Sequence, residues 1–163
     1  MATFPAFHYI NTLQMQPHPE GGYYKEVFRS PREVVRKGED ALKKACTSIY
    51  YLLQAGDYSG FHRLQSDEIW CFHKGEALHI HVLDNAGQLI THELSDAETG
   101  SFSLVIPAGL WFASEVAAPQ GFSLVSCAVA PGFDFSEFEM ARKSEMLKTY
   151  PQHQSILNRL CRL

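Results

Sequence analysis

A chain of 163 residues with a formal charge of −4 is long enough to bury the core of one domain. Its 14 Lys and Arg form no cluster dense enough for a phosphate backbone, so nucleic-acid binding is not expected, and no apolar run approaches the roughly 18–20 residues of a membrane span. The opening M-A-T-F-P-A-F-H-Y lacks a basic stretch followed by an apolar one, so no secretory signal is expected; Cys46, Cys71, Cys127 and Cys161 are scattered without a C-x-x-C pair and read as free thiols in a reducing cytoplasm.

Residues 7–15 carry apolar side chains at helical spacing and stop before Pro17, which predicts a short N-terminal helix. H-P-E-G-G (18–22) is a turn, punctuated by Pro and paired Gly. Residues 23–28 read as a strand, and the charged stretch 31–44 as a solvated loop with at most one helical turn. From residue 46 onward strand follows strand: 46–53, 60–64, 68–73, 77–83, 88–94, 101–106, 110–115 and 122–129, separated by turn residues such as Lys74-Gly75 and Asp84-Asn85-Ala86-Gly87. Short strands at this spacing, with no helices between them, predict an antiparallel sandwich or barrel. Ser136 with Glu139 forms a capping box, so a helix is expected to start at 136, end at Pro151, and be followed by a second amphipathic helix over 153–162. The whole chain, 1–163, is read as one domain: a barrel over about 20–130 with helices over about 136–162.

A small barrel holds a ligand at its mouth, so the polar residues that face inward matter most. His62 and Glu68 lie on neighbouring predicted strands joined by a short loop, where a carboxylate can fix the tautomer of an imidazole and raise its basicity. The pair reads either as a base with its orienter or as a hydrogen-bonded pair in a wet cavity. His79 and His81 form the one H-x-H, a geometry suited to a metal, but Leu78, Ile80 and Val82 claim the core face and turn both histidines outward. Trp70, Trp111 and Phe133 are candidate aromatic walls, and Arg29 at the end of the first strand is a candidate contact for an anionic group.

The stretch G-D-Y-S-G-F-H-R-L-Q-S-D-E-I-W-C-F-H-K-G (56–75) resembles the first motif of the cupins, G-x5-H-x-H-x3-E-x6-G, with Leu64 in place of the second histidine. Together with H-P-E-G-G-Y-Y-K-E-V-F-R-S, T-S-I-Y-Y-L-L, P-A-G-L-W-F-A and F-S-L-V-S-C-A-V-A-P-G-F-D-F-S-E-F-E, it is similar to cupin family 5, domain of unknown function 985, over residues 8–140. That resemblance implies an all-β cupin jelly-roll barrel with a short N-terminal helix and C-terminal helices. It also implies a homodimer that exchanges residues 1–30. In the second cupin motif Phe112 and Val116 replace the histidine and asparagine, so His62 and Glu68 alone survive of the usual metal ligands. Two protein ligands do not hold a transition metal firmly, and neither a metal nor another cofactor is expected.

A second resemblance links G-Y-Y-K-E-V-F (22–28) and S-G-F-H-R-L-Q (59–65) to the metal-free sugar-nucleotide 3,5-epimerases. It implies that His62 is the base, and that Tyr24 and Glu26 occupy nucleotide-contacting positions. Arginines that precede the two glycines in those enzymes are Gly21 and Ser59 here. The expected function is binding of a small sugar-like or nucleotide-like metabolite in the barrel, with isomerisation or epimerisation at His62. The alternatives are a metal-dependent oxygenase or isomerase using His62, Glu68 and a recruited histidine such as His73 or His81, and a non-catalytic binding module.

Overall fold

Alternation of inward and outward side chains builds the body of the protein, which a computed structural model describes over residues 5–163. Helix α1 (Ala6–Thr12) leads into β1 (Gln16–Pro17) and β2 (Tyr23–Arg29); the hairpin β3 (Glu33–Val35) and β4 (Leu42–Lys44) follows. The main run is β5 (Thr47–Gln54), β6 (Tyr58–Leu64), β7 (Asp67–Gly75), β8 (Leu78–Leu83), β9 (Leu89–Leu94), β10 (Ser103–Ile106), β11 (Trp111–Val116) and β12 (Phe122–Ala130). The chain finishes with β13 (Phe138–Met140), α2 (Lys143–Thr149) and α3 (Gln154–Leu160).

Two sheets, ordered β1-β2-β5-β12-β7-β10 and β13-β6-β11-β8-β9, face each other as a cupin jelly roll. The inner faces pack Tyr51, Trp70, Phe72, Ile80, Phe112 and Val125 into one cluster. Strand parity then sends the alternate residues outward. Phe61, Leu83 and Ala113 leave the five-stranded sheet on its outer side and are covered by Met146, Leu157 and Leu160 of the C-terminal helices. Each such fully buried side chain contributes about 1.5–3 kcal/mol relative to exposure. On the other sheet Ala6 of α1 and Met15, which follows it, cover Leu52, Phe122 and Leu124. Residues 5–30 of the segment expected to exchange pack on their own chain through these contacts and the β2–β5 ladder; residues 1–4 of it lie outside the described residues.

Two expectations are corrected. Residues 31–44 are not a plain loop: Glu33, Val34 and Val35 pair with Lys44, Lys43 and Leu42. The adjacent β-branched valines favour a strand, and Arg36 and Lys43 are drawn down to the buried Glu137. The helix expected from residue 136 starts instead at Lys143. Asp134, not Ser136, supplies the cap, and only to one short turn over Phe135–Glu137. Residues 138–140 then join β6 as a strand, with Glu139 opposite Arg63 and bonded to it. The pairing edge of β6 outweighs the local helical pattern.

The turn at 18–22 positions the site. Gly21 and Gly22 take φ of +115° and +68°, values open to glycine at little cost. Tyr51 donates to Gly21 O at 2.7 Å, and Gly22 N–H donates to Asp57 at 3.0 Å. Arg162, 142 residues away from Glu20, donates to Glu20 O; it also reaches Asp57 and Tyr58 O and lies over the Tyr58 ring at 4.2 Å. A Cβ at Gly21 would overlap Tyr58 O and the Arg162 guanidinium, whereas one at Gly38, φ +87°, meets open space. Gly21→Ala is expected to lose about 3 kcal/mol in urea unfolding and Gly38→Ala only about 1 kcal/mol. Equal losses would show that the turn is not pinned.

Candidate functional site

Between the two sheets lies a cavity of about 230 Å3. Its inner end is formed by the buried His62, Glu68 and Cys127, and its mouth by the exposed Glu26, Arg29, Asp134 and Phe135. Apolar lining dominates, with Phe133, Phe135 and Phe138 stacked edge to face along one wall at centroid separations of 4.9–6.1 Å.

His62 points inward because Phe61 takes the outer face of β6. Its Nδ1 lies 2.7 Å from Gly60 O, an acceptor, so Nδ1 carries a proton and the ring is fixed in orientation. Nε2 is 3.2 Å from Oε2 of Glu20, a carboxylate only 6% exposed. That acid sits where it stabilises a proton arriving at Nε2. His18, from the same turn, lies 3.6 Å from Glu20 Oε2, and its Nδ1 accepts from the Glu20 N–H at 3.3 Å. Burial holds the His18 imidazole below its ordinary pKa, with the Glu20 charge opposing the fall and His62 adding to it.

Glu68 is not the orienter of His62. Among the described residues no hydrogen bond or ion pair joins the two. The reason is topological: β6 and β7 do not pair, because the Gln65–Ser66 link carries the chain from one sheet to the other. Glu68 therefore faces His62 from the opposite wall. Burial pushes its carboxyl up to about 8, and the Glu20 charge pushes the same way, while Trp70 and Cys127 partly offset the rise. Its Oε2 has no hydrogen-bond partner among the described residues.

The mouth is poor in free positive charge. Arg29 is gripped by Glu26 through two bonds, Nε–Oε1 at 3.0 Å and Nη2–Oε2 at 2.7 Å, and its Nη1 donates to Phe133 O. Three carboxylates, Glu20, Glu26 and Asp134, line the cavity against this one guanidinium. Contact with Ser136 holds the Asp134 carboxyl below its usual value.

His62, Glu68, Tyr24, Glu26, Arg29 and Phe133 all line this cavity; Trp70 and Trp111 do not. Trp70 is 1% exposed and packs edge-on to Tyr51 and Phe112 at 5.7 and 6.0 Å, so it fills the core rather than walling a ligand. Trp111 has the outward parity of β11, with Phe112 inward, and lies under the Arg63 guanidinium at 4.4 Å. His81 turns outward as its apolar neighbours require, yet it is buried there, between Thr91 at 2.8 Å and Glu115 at 3.0 Å. Sequence reasoning missed Glu20 and Phe138. The first was legible as an acid beside paired glycines in H-P-E-G-G; the second was hidden by its assignment to a helix.

A resident transition metal does not fit these residues. Among the described residues no group of three or more His, Cys, Asp or Glu side chains is placed to hold a metal ion. Leu64 stands at the second histidine position, and the Phe112 ring lies 4.2 Å from that of His62, where another ligand would sit.

The model of the family described as Cupin superfamily (DUF985) matches residues 8–141. The chain is 32% identical over 154 residues to Uncharacterized protein YML079W of Saccharomyces cerevisiae, covering 85% of this chain and 76% of that one. Its structure superposes on a hypothetical protein from Leishmania major with a TM-score of 0.90 at 34% identity, over 97% and 99% of the two chains. A protein from Shewanella oneidensis gives 0.89 at 35% identity, over 98% and 99%. A dTDP sugar isomerase from Desulfovibrio desulfuricans shares the fold alone, with a TM-score of 0.55 at 13% identity over 73% and 83%. With a family model spanning nearly the whole barrel and relatives above 30% identity over most of their length, this chain belongs to the DUF985 group of the cupin superfamily.

Proposed function

We propose that the protein binds a small, uncharged, sugar-like metabolite in the barrel and isomerises or epimerises it by proton transfer at His62. One observation carries this reading: a buried imidazole whose Nε2 meets a cavity and has the Glu20 carboxylate 3.2 Å away. His62 takes a proton from a carbon next to a carbonyl. The imidazolium so formed is held by Gly60 O on one side and Glu20 on the other. Return of the proton to the same carbon after the planar intermediate turns over inverts the centre; where that carbon carries a hydroxyl, return to the former carbonyl carbon, with the hydroxyl proton passing to the former carbonyl oxygen, moves the carbonyl.

The charge of the lining narrows the ligand. A nucleoside diphosphate needs cations, and the one guanidinium here is already paired with Glu26. Nucleotide-like ligands are thereby disfavoured and neutral ones favoured. The dTDP sugar isomerase of similar fold lends the reaction type as an analogy and no more. A metal-dependent reaction draws no support from a donor set that does not converge. A purely binding role predicts affinity without exchange.

The test is washout of α-protons from dihydroxyacetone and D-fructose in D2O, followed by proton NMR. Wild type is expected to exchange them, and His62→Asn to slow exchange by about 10²–10⁴-fold with an unchanged melting temperature. Exchange unaltered in that variant removes His62 from the chemistry. Glu20→Gln is expected to lower the rate at saturation more than it raises the half-saturating concentration, since it acts on the proton and not on the ligand.

Pairing of two copies is proposed alongside. It is supported by the outer face of the six-stranded sheet, where Phe28, Ile69 and Val105 stand 44–53% exposed, with Ile69 and Val105 directly opposite one another. Light scattering is expected to give a dimer for wild type and a monomer for Ile69→Lys. A monomeric wild type at micromolar concentration would refute the pairing.

A further inference from the structure

The mechanism above leaves one buried group unused. Glu68 is only 7% exposed, lines the cavity, and carries an oxygen with no partner among the described residues. A carboxyl buried without a partner costs stability unless it loses its charge or meets a ligand. Burial and the like charge of Glu20 from the 18–22 turn make its ionisation unfavourable, and contacts with Trp70 of β7 and Cys127 of β12 offset this only in part. Ile106 on β10 and Val129 on β12 lie opposite it in the ladders and offer no cation.

We propose that Glu68 acts as a neutral carboxylic acid whose O–H faces the ligand's carbonyl oxygen, from the wall opposite His62. This rests on the reading of His62 as the base. In the reaction the C–H bond next to the carbonyl breaks and its proton moves to His62 Nε2. The electron pair forms a carbon–carbon double bond, and negative charge grows on the carbonyl oxygen. The Glu68 O–H donates to that oxygen as the charge develops, and the bond relaxes when His62 returns the proton. Two acids thus divide the work by environment: Glu20 stabilises a positive charge on the imidazole, while Glu68 stabilises a negative one on the ligand. The ligand class follows: a neutral molecule with a carbonyl flanked by an exchangeable C–H, such as a ketose.

Two measurements test this, the first with no ligand. Infrared spectra near neutral pH should show a protonated-carboxyl band in wild type and Glu20→Gln that disappears in Glu68→Gln; a wild-type spectrum identical to that of Glu68→Gln overturns the proposal. The linked stability has a definite sign. A carboxyl whose folded pKa is raised above its unfolded value loses stability as pH rises between the two, here from about 5 to about 8. Glu68→Gln is therefore expected to melt at a temperature similar to wild type near pH 5 and higher near pH 8; a shift equal at both values counts against a neutral Glu68.

The second measurement is the D-fructose exchange. Glu68→Leu should slow it by about 10²–10³-fold, and Glu68→Gln, which keeps an N–H donor, by less. Exchange lost in His62→Asn but untouched in Glu68→Leu overturns the role of Glu68 and leaves that of His62 standing. A wild type that exchanges nothing overturns both. If the leucine variant fails to fold, the glutamine variant and the infrared band still decide.

Discussion

The contact between Glu20 and His62 is the constraint around which the cavity is organised. A glutamate only 6% exposed is rare unless compensated, and here it lies against the His62 imidazole on a pinned backbone turn. Every neighbouring feature serves to keep that carboxylate inside: the two left-handed glycines, the Tyr51 hydroxyl on Gly21 O, and the Arg162 fork on the turn. The cost of burying one acid also bears on the next. After burial itself, its charge is the next cause that pushes the Glu68 carboxyl across the cavity upward.

Much of the barrel was legible because strand parity and glycine turns are local signals. Every strand expected between residues 46 and 129 is present within a few residues of its expected limits. The failures came where distant pairing overrode local pattern. Residues 138–140 read as helix by spacing but complete an open sheet edge on β6, which no window of sequence reveals. The partnership of His62 with Glu68 seemed natural from their proximity in sequence. It failed because the chain crosses between sheets in the two residues that separate their strands. The true partner, Glu20, lies 42 positions upstream on a turn whose composition announced its shape but not its destination.

Two apolar substitutions into the cupin motif change what the barrel can do. Leu64 and Phe112 occupy positions where histidines would gather around a metal, and Phe112 packs directly on the His62 ring. The cavity that remains has one oriented imidazole, one buried acid with an oxygen unpartnered among the described residues, and a wall of phenyl rings. The guanidinium closed onto Glu26 at the mouth also fastens β2 to Phe133 O, so the charge pairing of the mouth and the placing of its aromatic wall share one side chain.

Arg162 reaches back across 142 positions to hold the backbone of Glu20. Synthesis on the ribosome runs in one direction, so the Glu20 backbone is left unfastened until residue 162 has emerged. A nascent chain with all its strands already made still lacks the side chain that fastens the 18–22 turn to the body of the barrel.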